Sequence, residues 1–152
     1  MSQIHEPHPL PNLALPGFRH GKINSVEIYR FDRELTRLQN GDDKKVFCGI
    51  LILTSNGFSG WSEYRLLCTK QTYDLVGWAS VFMYLKNLEV ADAFRLLNSK
   101  AECWGKIRTE LAETALRNLV SRQDSPLPLL PYRDMPLDKK FLIEHSEAYV
   151  SF

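Results

Sequence analysis

Three cysteines (Cys48, Cys68 and Cys103) and four histidines are the side chains of this 152-residue chain best suited to nucleophilic or metal chemistry. A thiolate is the reactive form of cysteine, and an imidazole that takes its proton is the simplest route to it. The odd cysteine count and the lack of a CxxC spacing argue for reduced thiols in a cytoplasmic setting rather than a disulfide framework. Cys48, inside an apolar run, and Cys103, beside Trp104, read as buried packing thiols. A Cys–His pair brought together in space stays open, and with it a small Cys/His enzyme. His5 and His8 stand three apart, which on a helix would set two metal ligands on one face, but Pro7 between them argues against a helix. His145, in Glu144-His145-Ser146-Glu147, reads as a surface residue. Gly57-Phe58-Ser59-Gly60 lacks the spacing of a Gly-x-Ser-x-Gly elbow, and neither a Gly-rich phosphate loop nor HExxH is present. The lysine pairs Lys44-Lys45 and Lys139-Lys140 are adjacent in sequence, so their side chains do not face the same way on a strand or a helix.

Composition narrows the partners. Nineteen basic residues against eighteen acidic ones leave no electrostatic footprint for nucleic acid or an anionic membrane. No apolar run approaches the roughly 20 residues of a spanning helix. Prolines and histidines interrupt the N-terminus where a signal peptide would need an apolar core. A hydrophobic content of 44% with 24% charged residues is that of a globular domain able to bury a core.

The elements that must position any site follow from periodicity. Residues 1–21, with Pro7, Pro9, Pro11 and Pro16, predict an extended arm. Lys22 to Leu35 alternates, with Val26, Ile28 and Arg30 on one side and Glu27, Tyr29 and Phe31 on the other, as a strand does. Thr36 to Lys45 is a polar loop containing the turn signal Asn40-Gly41-Asp42-Asp43. Val46 to Leu53 is apolar on both faces and predicts a buried central strand. Asn56-Gly57 is the strongest short-range hairpin signal, because a type I′ turn needs φ > 0 at both central positions. Phe58, Trp61 and Tyr64 mark the strand that follows. The result is a three-stranded antiparallel meander.

Then the period changes to that of helices. Leu75, Trp78, Ala79, Phe82 and Leu85 form one stripe. Ala91, Phe94 and Leu96 or Leu97 form a short second helix ended by Asn98-Ser99. A third helix runs from about Ala101 to Arg122, with Trp104, Ile107, Leu111, Ala115 and Leu119 on its buried face and Glu113 paired to Arg117. Strands first and helices after predict an α+β domain over 22–122, its helices on one face of the sheet. Residues 123–152 begin as a connector carrying Pro126, Pro128, Pro131 and Pro136. They end in Glu147 to Phe152, which reads as a strand without a partner.

Gly60-Trp61-Ser62-Glu63 after the Asn56-Gly57 turn resembles the "dG-x-x-GwGE" hairpin in the N-terminal capping domain of the enolase superfamily, mandelate racemase/muconate-lactonizing type. Ser62 stands where that family usually has Gly. Ala112 to Leu119 resembles the family's "A-x-x-ALwDl" helix, with Arg117-Asn118 in place of Trp-Asp. Ser125-Pro126-Leu127 through Leu130 resembles its "g-x-Pl-x-LLGG" connector, with Pro131-Tyr132 in place of the double Gly. Ala148 to Ser151 is similar to the family's entry into its first barrel strand.

The resemblance implies a cap without its engine. The family's Mg²⁺-binding carboxylates and acid/base residues, often a Lys-x-Lys, lie on a (β/α)₈-type barrel of on the order of 200 further residues. No cofactor is therefore expected on this chain, and Mg²⁺ would belong to a separate barrel chain. The expected role is a non-catalytic capping or interaction module. The alternative is an independent binding or regulatory protein that reuses the cap fold. Expected partners are a second copy or a barrel-bearing chain, with a small carboxylate as a possible ligand. In the family, two cap loops close over the barrel mouth, and they map to Glu34–Lys45 and Tyr64–Tyr73 here. The residues implied as ligand or partner contacts are Arg33, Arg37, Tyr64 and Arg65, since an Arg fork grips a carboxylate and Tyr adds one donor.

Overall fold

Asn56 and Gly57 take φ values of 49° and 83° in the computed structural model, which describes residues 20–31, 45–68, 74–125 and 138–152. Positive φ at both central positions is what a two-residue hairpin requires. The turn joins β2 (Lys45–Ser55) to β3 (Phe58–Cys68), and β1 (Ser25–Phe31) lies antiparallel along the other side of β2. The expected meander is present. Val26 and Ile28 of β1 pack into the main core, while Tyr29 packs on the opposite face of the sheet with Ile52 and Leu142. Both faces of the central strand are thus covered, which accounts for its unbroken apolar run.

The C-terminal segment does have a partner. Ala148–Ser151 forms β4 and pairs antiparallel with β1, giving the sheet order β3-β2-β1-β4. It fills the edge of β1 that the meander leaves open. Val150 stands opposite Ile28, and Phe152 N–H donates to the Val26 carbonyl at 2.8 Å. Before it comes α4 (Lys139–His145), whose N-cap Asp138 accepts from Lys140 N–H at 3.1 Å. Two ion pairs fasten this tail to β1: Arg30 Nε to Glu147 Oε1 at 3.2 Å, and Lys139 Nζ to Glu27 Oε2 at 2.8 Å. Arg30 and Glu27 are both buried, and the ion pairs offset part of the cost of taking their charges out of water. The tail therefore completes β1 electrostatically as well as through its ladder. The Pro-rich arm up to residue 19 and the connector 126–137 lie outside the described residues.

The helices of residues 75–124 form one layer against the main-core face of the sheet, while α4 packs Leu142 on the opposite face, so the fold is α+β but its helices are not all on one side as expected. α1 (Leu75–Ala79) passes into a 3-10 segment, Ser80–Leu85, where Ser80 Oγ donates to the Gly77 carbonyl at 2.9 Å. Leu75, Ala79, Phe82 and Leu85 nevertheless all reach the core. The next two helices break later than expected. α2 (Val90–Trp104) runs straight through Asn98-Ser99, and α3 (Lys106–Asp124) starts only after Gly105. Asn98 and Ser99 are exposed, and Ser99 Oγ bonds back to the Leu96 carbonyl, so neither competes with the helix. Gly105, at φ 91°, supplies the backbone geometry that ends α2. The break shifts the register of the stripe. Trp104 is buried at the end of α2, and Ile107, expected in the core, is 47% exposed, while Leu111, Ala115 and Leu119 remain buried.

At its far end α3 is tied to the hairpin. Gln123 Nε2 donates to the carbonyls of His20 and Ser55, each at 3.1 Å, and His20 Nε2 lies 2.8 Å from Asp124 Oδ1.

Tyr29 is fully buried with its hydroxyl 3.4 Å from Glu27 Oε1. Burial first, and the Glu27 carboxylate second, hold its pKa far above the ordinary 10.0. A pKa raised on folding stabilises the native state below the unfolded value, and that stability is lost as pH climbs above it. Alkaline titration followed by phenolate absorbance and circular dichroism should show Tyr29 ionising above pH 10, and only as the chain unfolds. Tyr29→Phe should move that unfolding to higher pH. Ionisation of Tyr29 near pH 10 with the fold intact would contradict this placement.

Candidate functional site

Strand β3 is one edge of the sheet, and α3 lies against part of it. A Cβ at Gly60 would run into the backbone of Ala115 and Leu119, so only glycine lets the helix come this close. Next along, Trp61 N–H donates to Asn118 Oδ1 at 2.9 Å, and Ser62 Oγ donates to the Leu111 carbonyl at 2.6 Å. The edge is sealed from Gly60 to Ser62.

Beyond Ser62 strand and helix part. An open groove of about 500 Å³ runs between Glu63–Arg65 and the α3 residues Ile107, Glu110 and Thr114. On the other face of the sheet a hollow of about 400 Å³ is lined by Phe31, Cys48 and Ile50. Glu63, Tyr64 and Arg65 border both, because the strand between them is the sheet's edge. Glu110 is engaged by Lys106 at 3.1 Å. Among the described residues neither Glu63 nor Arg65 has an ion-pair partner.

Tyr64 and Arg65 therefore lie on a strand that continues to Cys68, not in a loop that follows it. The inward alternation simply persists, with Leu66 packed against the core after Tyr64. The two residues do different things. Tyr64 is 5% exposed, its ring lies where a Gly49 Cβ would sit, and its hydroxyl reaches the Tyr29 carbonyl at 3.4 Å. Its ring also lies tilted against Trp78, centroids 5.0 Å apart, and Trp78 and Phe82 carry the aromatic contact on to Trp104. Tyr64 is a core residue. Arg65 is exposed at the groove. Arg33 and Arg37, with 34–44 and 69–73 of the two expected loops, lie outside the described residues.

Glu63 is the groove residue that the sequence reading passed over. Its signal was available: it stands two before Arg65 on a strand, hence on the same face and opposite in charge. The cysteines also need correcting. Cys103 is exposed rather than packed, Cys48 is half-buried, and the Cys68 side chain lies outside the described residues. Neither Cys48 nor Cys103 hydrogen-bonds to a described histidine. His145 is exposed, stacked on Phe141 at 4.0 Å. Among the described residues no three His, Cys, Asp or Glu side chains converge as a metal site, and no helix is long and apolar enough to cross a membrane. Protein-family models, curated proteins and solved structures give no match to this chain.

The contrast between neighbours on β3 is measurable by urea unfolding in dilute solution. Tyr64→Ala should cost about 3–5 kcal/mol, the range for large aromatic truncations in a core. Arg65→Ala should stay within about 0.5 kcal/mol, as surface truncations do. A loss at Arg65 comparable to that at Tyr64 would make Arg65 a structural residue.

Proposed function

We propose that these residues form a non-catalytic capping or interaction module of the kind that enolase-superfamily enzymes carry, with any catalytic barrel lying outside them. One observation carries the reading. The two stretches that resemble the family's cap, Gly60-Trp61-Ser62-Glu63 and Ala112 to Leu119, are distant in sequence yet meet as one packing unit. Gly60 lies on the backbone of Ala115 and Leu119, and Asn118 bonds Trp61 N–H. The family's usual glycine at the position of Ser62 is replaced by a hydroxyl that bonds the Leu111 carbonyl, so the departure fits the same close contact. In this reading Arg65 faces the partner or a small carboxylate ligand.

A second reading is favoured by β4. The family sends the corresponding segment into its first barrel strand, whereas here Ala148–Ser151 pairs with β1. A sheet that closes its own edge suits an independent binding or regulatory protein that reuses the cap fold.

Both readings place the chemistry elsewhere. Deuterium exchange at the α-carbon of a panel of carboxylates, with and without Mg²⁺, should show no turnover by the purified chain. Turnover that survives repurification and follows the protein would overturn the non-catalytic assignment.

A further inference from the structure

The Asn56-Gly57 turn fixes which backbone groups of β3 point out of the sheet. In a two-residue hairpin the flanking residues, Ser55 and Phe58, exchange both hydrogen bonds, and bonded and non-bonded pairs then alternate. Gly60, Ser62 and Tyr64 consequently turn their N–H and C=O groups toward β2. Trp61, Glu63 and Arg65 turn theirs outward. The Trp61 N–H agrees with this, since it leaves the sheet to meet Asn118. Among the described residues nothing bonds the outward N–H of Glu63 or Arg65.

An open strand edge is a template for another strand, and this one carries its own complement. We infer that β3 pairs antiparallel with β3 of a second copy about a two-fold axis at Tyr64, placing Glu63 of each copy opposite Arg65 of the other. Each Glu63–Arg65 pair would exchange both its backbone hydrogen bonds, because the groups that point outward are those of these two residues. Their side chains share one face, with opposite charges directly across, which stabilises a sheet; like charges there destabilise it. Charge also sets the register. Sliding one copy by two residues either way sets Glu63 against Glu63 or Arg65 against Arg65. Asn118 stops the pairing from extending past Trp61, since it already occupies that N–H. The axis is perpendicular to the sheet, so both α3 helices lie on the same side and both Ile107 side chains, 47% exposed, line the seam. The carboxylate suited to Arg65 is then Glu63 of another copy. This deepens the assignment of Arg65 as a partner contact and does not depend on a separate barrel chain.

Sedimentation equilibrium on the full chain tests it with four proteins: wild type, Glu63→Arg, Arg65→Glu and the double swap. Wild type should dimerise. Each single reversal should weaken the dimer about tenfold or more, since like charges then face each other. The double swap should restore it, and an equimolar mixture of the two single variants should form the heterodimer. All four should have the same circular dichroism, because both positions are exposed. A wild type that stays monomeric at roughly 100 µM, a dimer indifferent to the single reversals, or a double swap that fails to restore pairing would overturn the proposal. Each of those results would leave the carboxylate-exchange test of the capping reading untouched.

Discussion

A helix can lie directly against the face of a strand only where the strand has no side chain in the way. Gly60 provides that place, and the rest of the arrangement depends on it. With α3 seated on Gly60, Asn118 takes the outward Trp61 N–H and the Ser62 hydroxyl reaches the Leu111 carbonyl, so one helix satisfies two polar groups of the edge strand. A buried backbone group left without a partner costs about 1–3 kcal/mol. The contact therefore solves an edge-strand problem and positions the helical layer together. α3 in turn buries Leu111, Ala115 and Leu119 over the sheet and holds Arg108 against the Trp78 ring, and the Trp78 and Phe82 rings extend the contact to Trp104 at the end of α2.

The opposite edge is closed by different physics. There β1 carries two charged residues, one on each face, that the core alone could not accommodate. Glu27 is met by Lys139 at the start of α4, and Arg30 by Glu147 just before β4. Arg30 also lies over the Phe47 ring at 5.2 Å, which suits a guanidinium better than an ammonium. The C-terminal tail thus contributes hydrogen bonds, counter-charges and an apolar cover, through Leu142, for Tyr29 and Ile52. What stays open is the far end of β3, where the groove separates Glu63 and Arg65 from α3.

The hairpin turn and the strand alternation are legible in the sequence because a few adjacent residues decide them, whereas strand pairing and helix ends depend on distant contacts. Asn56-Gly57 specifies its turn from two residues, and the alternation of Val26 to Phe31 places each side chain on the face it occupies. β4 was recognised as a strand but not assigned a partner. Its mate is more than a hundred residues away, and four residues carry no pairing information of their own. The helix boundaries slipped because Asn98-Ser99 looked like a stop and Gly105 was absorbed into the next stripe; tertiary burial of Trp104 and the positive φ of Gly105 decide otherwise. Periodicity places Tyr64 on the strand after the turn, whereas the resemblance makes it the start of a ligand-facing loop; the periodicity holds, and the Tyr64 ring fills the space that Gly49 across from it leaves. The resemblance located Arg65, but its pairing with Glu63 on one face emerges only once β3 is known to continue past Tyr64.

The division of β3 into a sealed half and an open half is testable by amide hydrogen exchange resolved residue by residue. In dilute solution the Trp61 amide should exchange slowly, like those of Ser62 and Tyr64, because Asn118 holds it. The Glu63 and Arg65 amides should exchange fast in the same sample and become protected as concentration rises. Protection of Glu63 and Arg65 at every concentration, or a Trp61 amide as fast as theirs, would contradict it.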